Sequence, residues 1–392
     1  MARVPRGWDR YTLGLVPELL ALGYDVVALY RGSDALGGDL LGSLPCPSLD
    51  VASRSGLQWE QIAVPAALRR CGADVYLAPS EHGVPFSSPC PVVLTVHSVT
   101  AHSYSALIRA GALSGRVEDF VGYRFRRFTP RYAYWRAQVA LAAHLCVPST
   151  FCADEVVTHL GVSRGRLTVV PLAPAPEFSL PTTESTHRRA VLSRLDIGSL
   201  YALYVGGYEP HKNVEGTLAA FAAARSALPD LQLVTIGTGI VPERVHTAAA
   251  RLGLVIGRDV ICCSNLRDEL PALYDGAAVF ISLSWRETFG LPALEAVCRG
   301  LPAVVSAWGA APEVLRGDAE CVEPCDIDSA AAALVRACRS DQSMRRLNTA
   351  ALSRFTWRRS AAIVSRVCES VASGTDGARS GHDAWSATER TR

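Results

Sequence analysis

The chain has 392 residues, of which 49% are hydrophobic and 19% are charged, and its formal net charge is +2. These values are typical of a globular protein and exclude a chain that is disordered over most of its length. The near-neutral charge argues against a general nucleic-acid binder, which would carry a strongly basic surface. At about 150 residues per domain, the length predicts two domains.

The basic side chains are divided very unevenly between arginine and lysine. Of the 39 basic residues, 38 are Arg and one is Lys212. Because an ammonium and a guanidinium are not equivalent at a tight binding site, Lys212 is a candidate functional residue. A genome rich in arginine codons explains the composition as well, so both interpretations stay open at this point.

Apolar, β-rich runs alternate with helical segments along the chain, which predicts parallel strands joined by helical crossovers. Two doubly wound sheets are the simplest arrangement, and the proline-rich stretch 171–186 is predicted to connect them. The predicted strands are 25–30, 75–78, 92–96, 145–148, 167–170, 201–205, 231–236, 260–263, 279–283 and 303–305.

The two ends of the chain depart from this pattern. Only six residues precede Gly7, and residues 11–23 are predicted to form a helix that contains Pro17. A doubly wound domain normally begins with a strand, so we expect either that the true start lies upstream or that this domain lacks its first strand. At the other end, 355–371 is predicted as a last helix and 372–392 as a disordered tail.

Twelve cysteines are scattered along the chain without zinc-type CxxC spacing. With no secretory signal recognised, they predict reduced, mostly buried thiols in a cytoplasmic protein. No run reaches the roughly 18 apolar residues of a membrane span. Asp326 and Asp328 have the Asp-x-Asp form of some metal sites, but they precede an alanine-rich segment and are predicted to cap a helix. We expect no metal and no cofactor.

The segment 281–309 has the order strand, loop, helix, turn, strand, and carries two glutamates. Glu287 follows the carboxyl end of the strand, where open α/β sheets bind ligands. Glu295 is expected in the first helical turn, which would bring both carboxylates to the rim of one pocket. The alternative is that Glu295 complements the helix dipole and Glu287 is a solvated loop acid.

The start of the helix in this segment is suited to an anion. Pro292 lacks an N–H that would be unpaired in the first turn, and Gly290 allows close approach. The amides of Phe289, Gly290 and Leu291 are therefore predicted to face a phosphate.

A second candidate site lies in YVGGYEPHKN, residues 204–213, where a strand ends at Gly206 and Gly207 before a helix predicted at 214–226. Lys212 lies at the entry to that helix, at the sheet edge that also carries Glu287, where an ammonium and turn amides can neutralise a diphosphate without a metal. The P-loop pattern is absent. The alternative is an ordinary turn with an exposed lysine.

Together the two segments resemble the retaining nucleotide-sugar glycosyltransferases of family 4, also called glycosyl transferases group 1. The glutamate pair in ETFGLPALE resembles the hallmark of that family, and GGYEPHKN resembles its basic site. The resemblance implies the α/β fold GT-B, with two Rossmann-like doubly wound domains facing across a cleft. Residues 1–180, completed by helix 355–371, would form the acceptor-side domain, and 187–354 would bind the nucleotide sugar.

The resemblance also implies a role for each matching residue. Lys212, with the amides named above, would bind the donor diphosphate, and Glu295 would bind the ribose hydroxyls. Glu287 would hold the sugar and stabilise positive charge at its anomeric carbon. His97, at the end of a first-domain strand, would reach the donor sugar, although a purely structural histidine is the alternative.

Two further donor-binding residues follow from the resemblance. Gly7 matches the second glycine of a loop that closes over the phosphates, and Asn265 lies where the base is expected.

The chain departs from the family at four positions. Gly207 stands where an arginine is usual, and His211 precedes the lysine where arginine is common. Phosphate charge would therefore fall more heavily on Lys212. Ser98 follows His97 in place of aspartate, and Arg6 replaces the first loop glycine; Arg6 is a candidate for the cation missing at Gly207.

The predicted function is transfer of a sugar from a GDP- or UDP-sugar, with mannose one candidate, to a hydroxyl of a glycan, lipid or small-molecule acceptor with retained configuration. A non-catalytic nucleotide-sugar-binding paralogue, or an epimerase or phosphorylase of the same fold, stays open. The stretch 123–136 interleaves arginines with aromatic residues. It fits either weak contact with the inner face of a membrane or arginine stems that cover their own core.

Overall fold

The computed structural model describes residues 7–31, 44–80, 83–99, 129–180, 183–237, 241–264, 266, 268–341 and 345–374. Their contacts divide them into two units. The N-terminal unit holds the described residues up to 173 and those from 355 onward, and the C-terminal unit holds the described residues from 174 to 354. Both units are α/β with parallel strands only.

The described residues of the N-terminal unit form short strands and helices. Its strands are β1 Ala28–Tyr30, β2 Ser48–Asp50, β3 Tyr76–Ala78, β4 Val92–Thr95, β5 His144–Val147 and β6 Leu167–Val169. Its helices are α1 Gly7–Ala21, the stretch α2 made of Gly56–Gln58, a π-helical turn Trp59–Ala63 and Val64–Cys71, then α3 Pro130–Leu141, α4 Thr150–Leu160 and, at the end of the chain, α13 Trp357–Ala372.

The strands of this unit form two separate sheets, β1–β2 and β3-β4-β5-β6. The described part of the unit begins with α1, and no strand in the described ranges joins the two sheets.

The last helix, α13, packs on the first helix of the same unit. The indole of Trp357 lies against Gly14, and its ring centroid is 6.2 Å from that of the buried Tyr11. The hydroxyl of Ser360 donates a hydrogen bond of 2.6 Å to the carbonyl of Pro171. Pro17 lies inside α1, which begins at Gly7, earlier than the predicted residue 11.

The C-terminal unit has a six-stranded sheet in the order β12-β11-β10-β7-β8-β9. The strands are β7 Tyr201–Val205, β8 Gln232–Gly237, β9 Val260–Ser264, β10 Val279–Ser282, β11 Ala303–Ser306 and β12 Glu320–Val322. The helices are α5 Ser185–Arg194, α6 Val214–Ala224, α7 Glu243–Arg251, α8 Leu270–Gly276, α9 Leu291–Cys298, α10 Ala311–Leu315, α11 Ile327–Arg339 and α12 Thr349–Arg354. Buried aliphatic side chains of the central strands and of α6, α7 and α11 form its core.

A buried ion pair holds the start of this unit in place. Arg299, just after α9, and Asp275, in α8, are each 1% exposed, and the Arg299 Nε donates to Asp275 over 2.8 Å. Arg299 Nη1 also donates to the carbonyl of Leu180, and the amide of Thr183 donates to Asp275. A buried charge must be paired. The ion pair therefore anchors the segment 171–186, which was predicted to connect the two domains, to α8 and α9.

The ten predicted strands all form, within a few residues of the predicted bounds. Two strands, β2 and β12, were not predicted. The cysteines are all free, but only Cys146, Cys152 and Cys298 are buried, so the prediction of mostly buried thiols is wrong.

Gly14 offers a test of the packing between α1 and α13. A Cβ at this position would lie 2.2 Å from the Trp357 ring, whereas one at Gly165 would meet nothing. We expect Gly14→Ala to destabilise the N-terminal unit by about 1–3 kcal/mol, because overpacking outweighs the gain in helix propensity. Thermal unfolding would show a lower midpoint for Gly14→Ala than for the control Gly165→Ala. Equal midpoints would contradict the close packing.

Candidate functional site

The site lies where the strand order of the C-terminal sheet reverses. The chain runs from β7 outward to β8 and β9 on one side, and the other side begins with β10. Ligands of open α/β sheets bind beyond the carboxyl ends of the strands at such a reversal. The loops that follow β7 and β10 carry Lys212 and Glu287, so both predicted residues lie at this position.

Lys212 and Glu287 form an ion pair. The Lys212 Nζ lies 2.8 Å from Glu287 Oε2 and 3.2 Å from Oε1. The two side chains are 20% and 22% exposed. A backbone hydrogen bond of 2.8 Å from the Trp285 amide to the His211 carbonyl joins the same two loops. The alternatives of an exposed lysine in an ordinary turn and a solvated loop acid are therefore wrong.

Burial and local charge shift the pKa values of Glu287 and His211. Burial raises the pKa of the Glu287 carboxyl, but the Lys212 charge and hydrogen bond, with smaller help from His211 and Ser284, outweigh burial and hold this pKa below its ordinary value of 4.5. Burial and the Lys212 charge lower the pKa of His211 to about 4. His211 is thus neutral at pH 7, and Lys212 is the ammonium of a largely desolvated pair.

Asn213 connects three loops at the edge of the sheet. It adopts a left-handed conformation with φ of 49°, is 5% exposed, and accepts a hydrogen bond from the Gly216 amide at the start of α6. Its side-chain amide donates to the carbonyl of Leu283 over 2.8 Å and to that of Pro324 over 3.4 Å. The residue beside Lys212 therefore aligns the loops after β7, β10 and β12, a role that the sequence did not indicate.

The loop after β11 holds the backbone of Glu287. The Ala310 amide donates to the Glu287 carbonyl over 2.8 Å. Gly309 has a φ of 87°, and a Cβ there would lie 2.6 Å from the Glu287 carbonyl oxygen and 2.8 Å from its nitrogen. Only glycine combines this conformation with such close backbone approach, so Gly309 positions Glu287.

The helix α9 begins beside the ion pair. Gly290, with φ of 84°, is its N-cap, and Phe289 is buried. Within the described ranges, the amides of Gly290 and Leu291 have no hydrogen-bond partner, which leaves two donors for an anion. The small pocket here is lined by Val205, Lys212, Phe280, Ser282, Ser284, Glu287, Gly290, Pro292, Ala293, Val305, Ser306, Trp308 and Ala311.

Glu295 does not lie where the sequence predicted. The helix α9 starts at Leu291, so Glu295 is its fifth residue and falls in the second turn. Its side chain is 0% exposed and accepts a hydrogen bond of 3.2 Å from the Tyr274 hydroxyl. The expectation of a first-turn carboxylate at the rim of the pocket is therefore wrong, and a role in binding ribose stays a prediction.

The other predicted donor-binding residues are not among the residues that line this pocket, belong to the N-terminal unit or lie outside the described ranges. Gly206 and Gly207 follow β7, and the Tyr204 hydroxyl donates to the Gly207 carbonyl over 2.7 Å. Gly7 is the first residue of α1. Asn265 and Arg6 lie outside the described residues.

His97 belongs to the N-terminal unit, where it follows β4. Its Nε2 lies 2.8 Å from the Pro79 carbonyl, and its ring meets that of Tyr11 edge to face at 5.4 Å. These contacts orient the imidazole at the carboxyl edge of the sheet β3-β4-β5-β6, and a role toward a sugar stays a prediction.

The Asp-x-Asp signal at Asp326 and Asp328 has a structural explanation. Asp326 caps α11 by accepting from the Ser329 amide, which confirms the capping prediction. Among the described residues, no group of three His, Cys, Asp or Glu side chains is arranged to hold a metal.

Of the stretch 123–136, only residues from 129 onward are described. Pro130 begins α3, and Tyr134 donates a hydrogen bond of 2.6 Å to Glu60 of its own unit. A search of the described helices found none with the length and hydropathy needed to cross a bilayer.

Two family models match the chain in succession. The model described as Glycosyltransferase Family 4 matches residues 5–173, and the model described as Glycosyl transferases group 1 matches residues 193–354. The chain belongs to glycosyltransferase family 4. This agrees with the resemblance carried by ETFGLPALE and GGYEPHKN.

One curated relative of this family 4 chain is the MMP alpha-(1->4)-mannosyltransferase of Mycolicibacterium hassiacum, which is 33% identical over 57% of the chain. The matched region spans 53% of the length of that relative.

Two solved structures are similar over nearly the whole family 4 chain. A glycosyltransferase from Rickettsia africae matches with a TM-score of 0.67 and 13% identity, covering 93% of this chain and 94% of that one. Anabaena Alr3699/HepE in complex with UDP-glucose matches with a TM-score of 0.69 and 15% identity, covering 94% and 98%. At such identities the likeness establishes the GT-B fold alone.

Gly309 offers a test of how Glu287 is positioned in this family 4 chain. We expect Gly309→Ala to lower the free energy of unfolding of the C-terminal unit by about 1–3 kcal/mol more than a control glycine substitution does, because the new Cβ would overlap the Glu287 backbone. Gly317→Ala is the matched control, since Gly317 has the same φ of 87° with nothing within 4 Å of a Cβ. Equal losses of stability in the two variants, measured by denaturant unfolding, would mean that backbone strain, and not contact with Glu287, is responsible.

Proposed function

We propose that this protein transfers a sugar from a nucleoside diphosphate donor to an acceptor hydroxyl with retention of the anomeric configuration. The observation that carries the proposal is the Lys212–Glu287 pair beside the open amides of Gly290 and Leu291, at the reversal of the sheet in a family 4 chain. A cation, two N–H donors and a carboxylate are the groups that a diphosphate joined to a sugar requires.

The diphosphate is assigned to Lys212 and the start of α9. An ammonium has three N–H donors, so Lys212 can keep one bond to Glu287 and give others to phosphate oxygens. His211 is neutral at pH 7 and Gly207 has no side chain, so neither adds positive charge. Lys212 supplies a positive charge and the two amides supply N–H dipoles where other transferases use a divalent cation, and we propose that no such cation is needed.

The sugar is assigned to Glu287. Its carboxylate stays ionised well below neutral pH, because Lys212 lowers its pKa. A fixed carboxylate accepts sugar hydroxyls and stabilises positive charge that develops at the anomeric carbon as the diphosphate leaves. Among the described residues that line the pocket, none is placed as an activated covalent nucleophile, since Glu287 is held by Lys212.

Retention then requires attack from the face that the leaving group vacates. The bond between the anomeric carbon and the phosphate oxygen breaks while the acceptor oxygen bonds to the same carbon. The acceptor proton passes to the departing phosphate, whose negative charge Lys212 stabilises.

The proposed donor is a GDP- or UDP-sugar, and the proposed acceptor is a glycan, a lipid or a small molecule. The mannosyltransferase name of the Mycolicibacterium relative supports mannose, and the UDP-glucose in the Anabaena structure supports a nucleotide sugar in general. Residues that would read the base are not assigned.

The experiment that tests the proposal is a donor panel with and without acceptors, scored by released nucleoside diphosphate. We expect release from one nucleotide sugar, dependent on acceptor and persistent in EDTA. Proton NMR of the product should show the anomeric configuration of the donor. Release without acceptor would favour a hydrolase or epimerase, an inverted product would exclude retention, and binding without release would favour a non-catalytic paralogue.

Lys212 offers the sharpest test of the phosphate assignment. We expect Lys212→Ala to weaken nucleoside diphosphate binding by at least about 30-fold, since loss of a desolvated charge partner costs about 2–5 kcal/mol. Lys212→Arg should restore only part, because a planar guanidinium does not match the compact ammonium. Isothermal titration calorimetry measures both.

The same substitution in a Glu287→Gln background separates two roles of Lys212. If Lys212 only holds Glu287, its removal has no further effect once Glu287 is neutral, as a double-mutant cycle would show. We expect binding of the diphosphate to fall in both backgrounds. Near wild-type affinity for Lys212→Ala in either background would end the phosphate assignment.

A further inference from the structure

A pair of tryptophans lies beside the Lys212–Glu287 site without a role in the function proposed above. Trp308, in the loop after β11, lines the same pocket as Lys212 and Glu287. Its neighbour Gly309 is the residue that lies against the Glu287 backbone. Trp308 therefore directly precedes the glycine that supports Glu287, the carboxylate proposed to bind the sugar.

Two hydrogen bonds, one from the side chain and one from the backbone, fix the position of Trp308. Its indole N–H donates to Glu323 Oε2 over 2.7 Å, and its backbone amide donates to the Ser306 hydroxyl over 3.0 Å. With its polar atom satisfied by Glu323, the ring is left half-buried with its carbon face as the remaining contact surface.

Trp285 completes the pair from the loop after β10. Its ring centroid lies 5.7 Å from that of Trp308 at an interplanar angle of 52°, and it is also half-buried. Its backbone amide is bonded to the carbonyl of His211, next to Lys212. The two indoles thus come from loops that also carry or support the two charged residues of the pocket.

We propose that Trp308, backed by Trp285, is the surface against which the transferred sugar packs and that it contributes to donor-sugar selection. A hexose presents axial C–H bonds on one face and hydroxyls at its edge, so it needs an apolar, flat surface together with a polar partner. Trp308 supplies the flat apolar surface and Glu287 supplies the polar partner, on adjoining loops. This inference rests on the proposed function, since it places the sugar at Glu287.

The position of the pair in the sheet favours the sugar over the base. Trp285 and Trp308 follow β10 and β11, on one side of the reversal, whereas β8 and β9 lie on the other side of β7. A ligand whose diphosphate lies at Lys212 and Gly290 has its sugar at one end and its base at the other. The sugar end of the ligand, which is assigned to Glu287, therefore also lies beside Trp308.

The test compares a nucleotide sugar with its own nucleoside diphosphate, using GDP-mannose against GDP and UDP-glucose against UDP by isothermal titration calorimetry on the full chain. We expect Trp308→Ala to weaken the nucleotide sugar that the wild type binds by about tenfold, and the matching diphosphate by less than about twofold. The diphosphate measurement is the internal control, because it reports on folding and on Lys212 alone.

Two further variants separate the ring from its bulk. Trp308→Phe keeps an aromatic face and should hold the nucleotide sugar within about threefold of wild type, whereas Trp308→Leu, similar in apolar character, should lose affinity as Trp308→Ala does. Glu323→Leu, which releases the indole N–H, should cause a smaller loss with the same preference for the sugar-bearing ligand. These variants also decide the question if Trp308→Ala does not fold.

Three outcomes would overturn the inference. Equal losses for sugar-bearing and sugar-free ligands would place Trp308 at the phosphates or in folding, unchanged donor affinity with a raised acceptor KM would place it at the acceptor, and recovery by leucine would exclude the ring. Failure of the proposed function reads differently, since the wild type itself would then bind neither nucleotide sugar nor diphosphate, or would bind them without releasing nucleoside diphosphate in the presence of acceptor.

Discussion

The pocket of the C-terminal unit is organised around an ion pair whose ammonium and carboxylate are each about four-fifths removed from water. A charge that is withdrawn from water to this extent needs a partner of opposite charge. Lys212 lies in the loop after β7 and Glu287 lies in the loop after β10, so their ion pair joins these two loops. Asn213 and Gly309 then lock the adjoining loops onto the two charged residues. Removal of either charge would leave the other without its ion-pair partner, so the proposed binding function and the local stability depend on the same atoms.

The strands and crossovers could be predicted because each is a local pattern of apolar residues bounded by turn residues. The two strands that sequence reasoning missed have mostly polar or exposed residues: β2 is Ser-Leu-Asp, and β12 is Glu-Cys-Val with one buried residue. Both lie at the edge of a sheet, where one side of the strand is unpaired and little burial is imposed on the sequence. The predicted start of α1 was too late because the apolar spacing that indicates the helix lies between Leu13 and Leu22 and does not mark a start at Gly7.

The candidate site was predictable where chemistry is concentrated in one residue and not where it depends on contact between loops. Lys212 stood out by rarity and Glu287 by its place after a strand. Asn213, Gly309 and Trp308 act through partners 70, 22 and 15 residues away, and no short pattern encodes such pairs. Glu295 shows the converse limit, since its carboxylate was expected in the first turn at the rim of the pocket but lies in the second turn, in the interior.

The arginine-for-lysine bias of the chain has a practical consequence. Lys212 Nζ is the one side-chain amine in the sequence, and guanidinium groups stay protonated at neutral pH, so amine-acylating reagents meet a single side-chain target. The remaining amine, at the amino terminus, is separated from it in any peptide map. The extent of acylation at Lys212 is therefore an intrinsic reporter of whether the pocket is occupied, readable by mass spectrometry on the unmodified protein and without knowing in advance which molecule fills it.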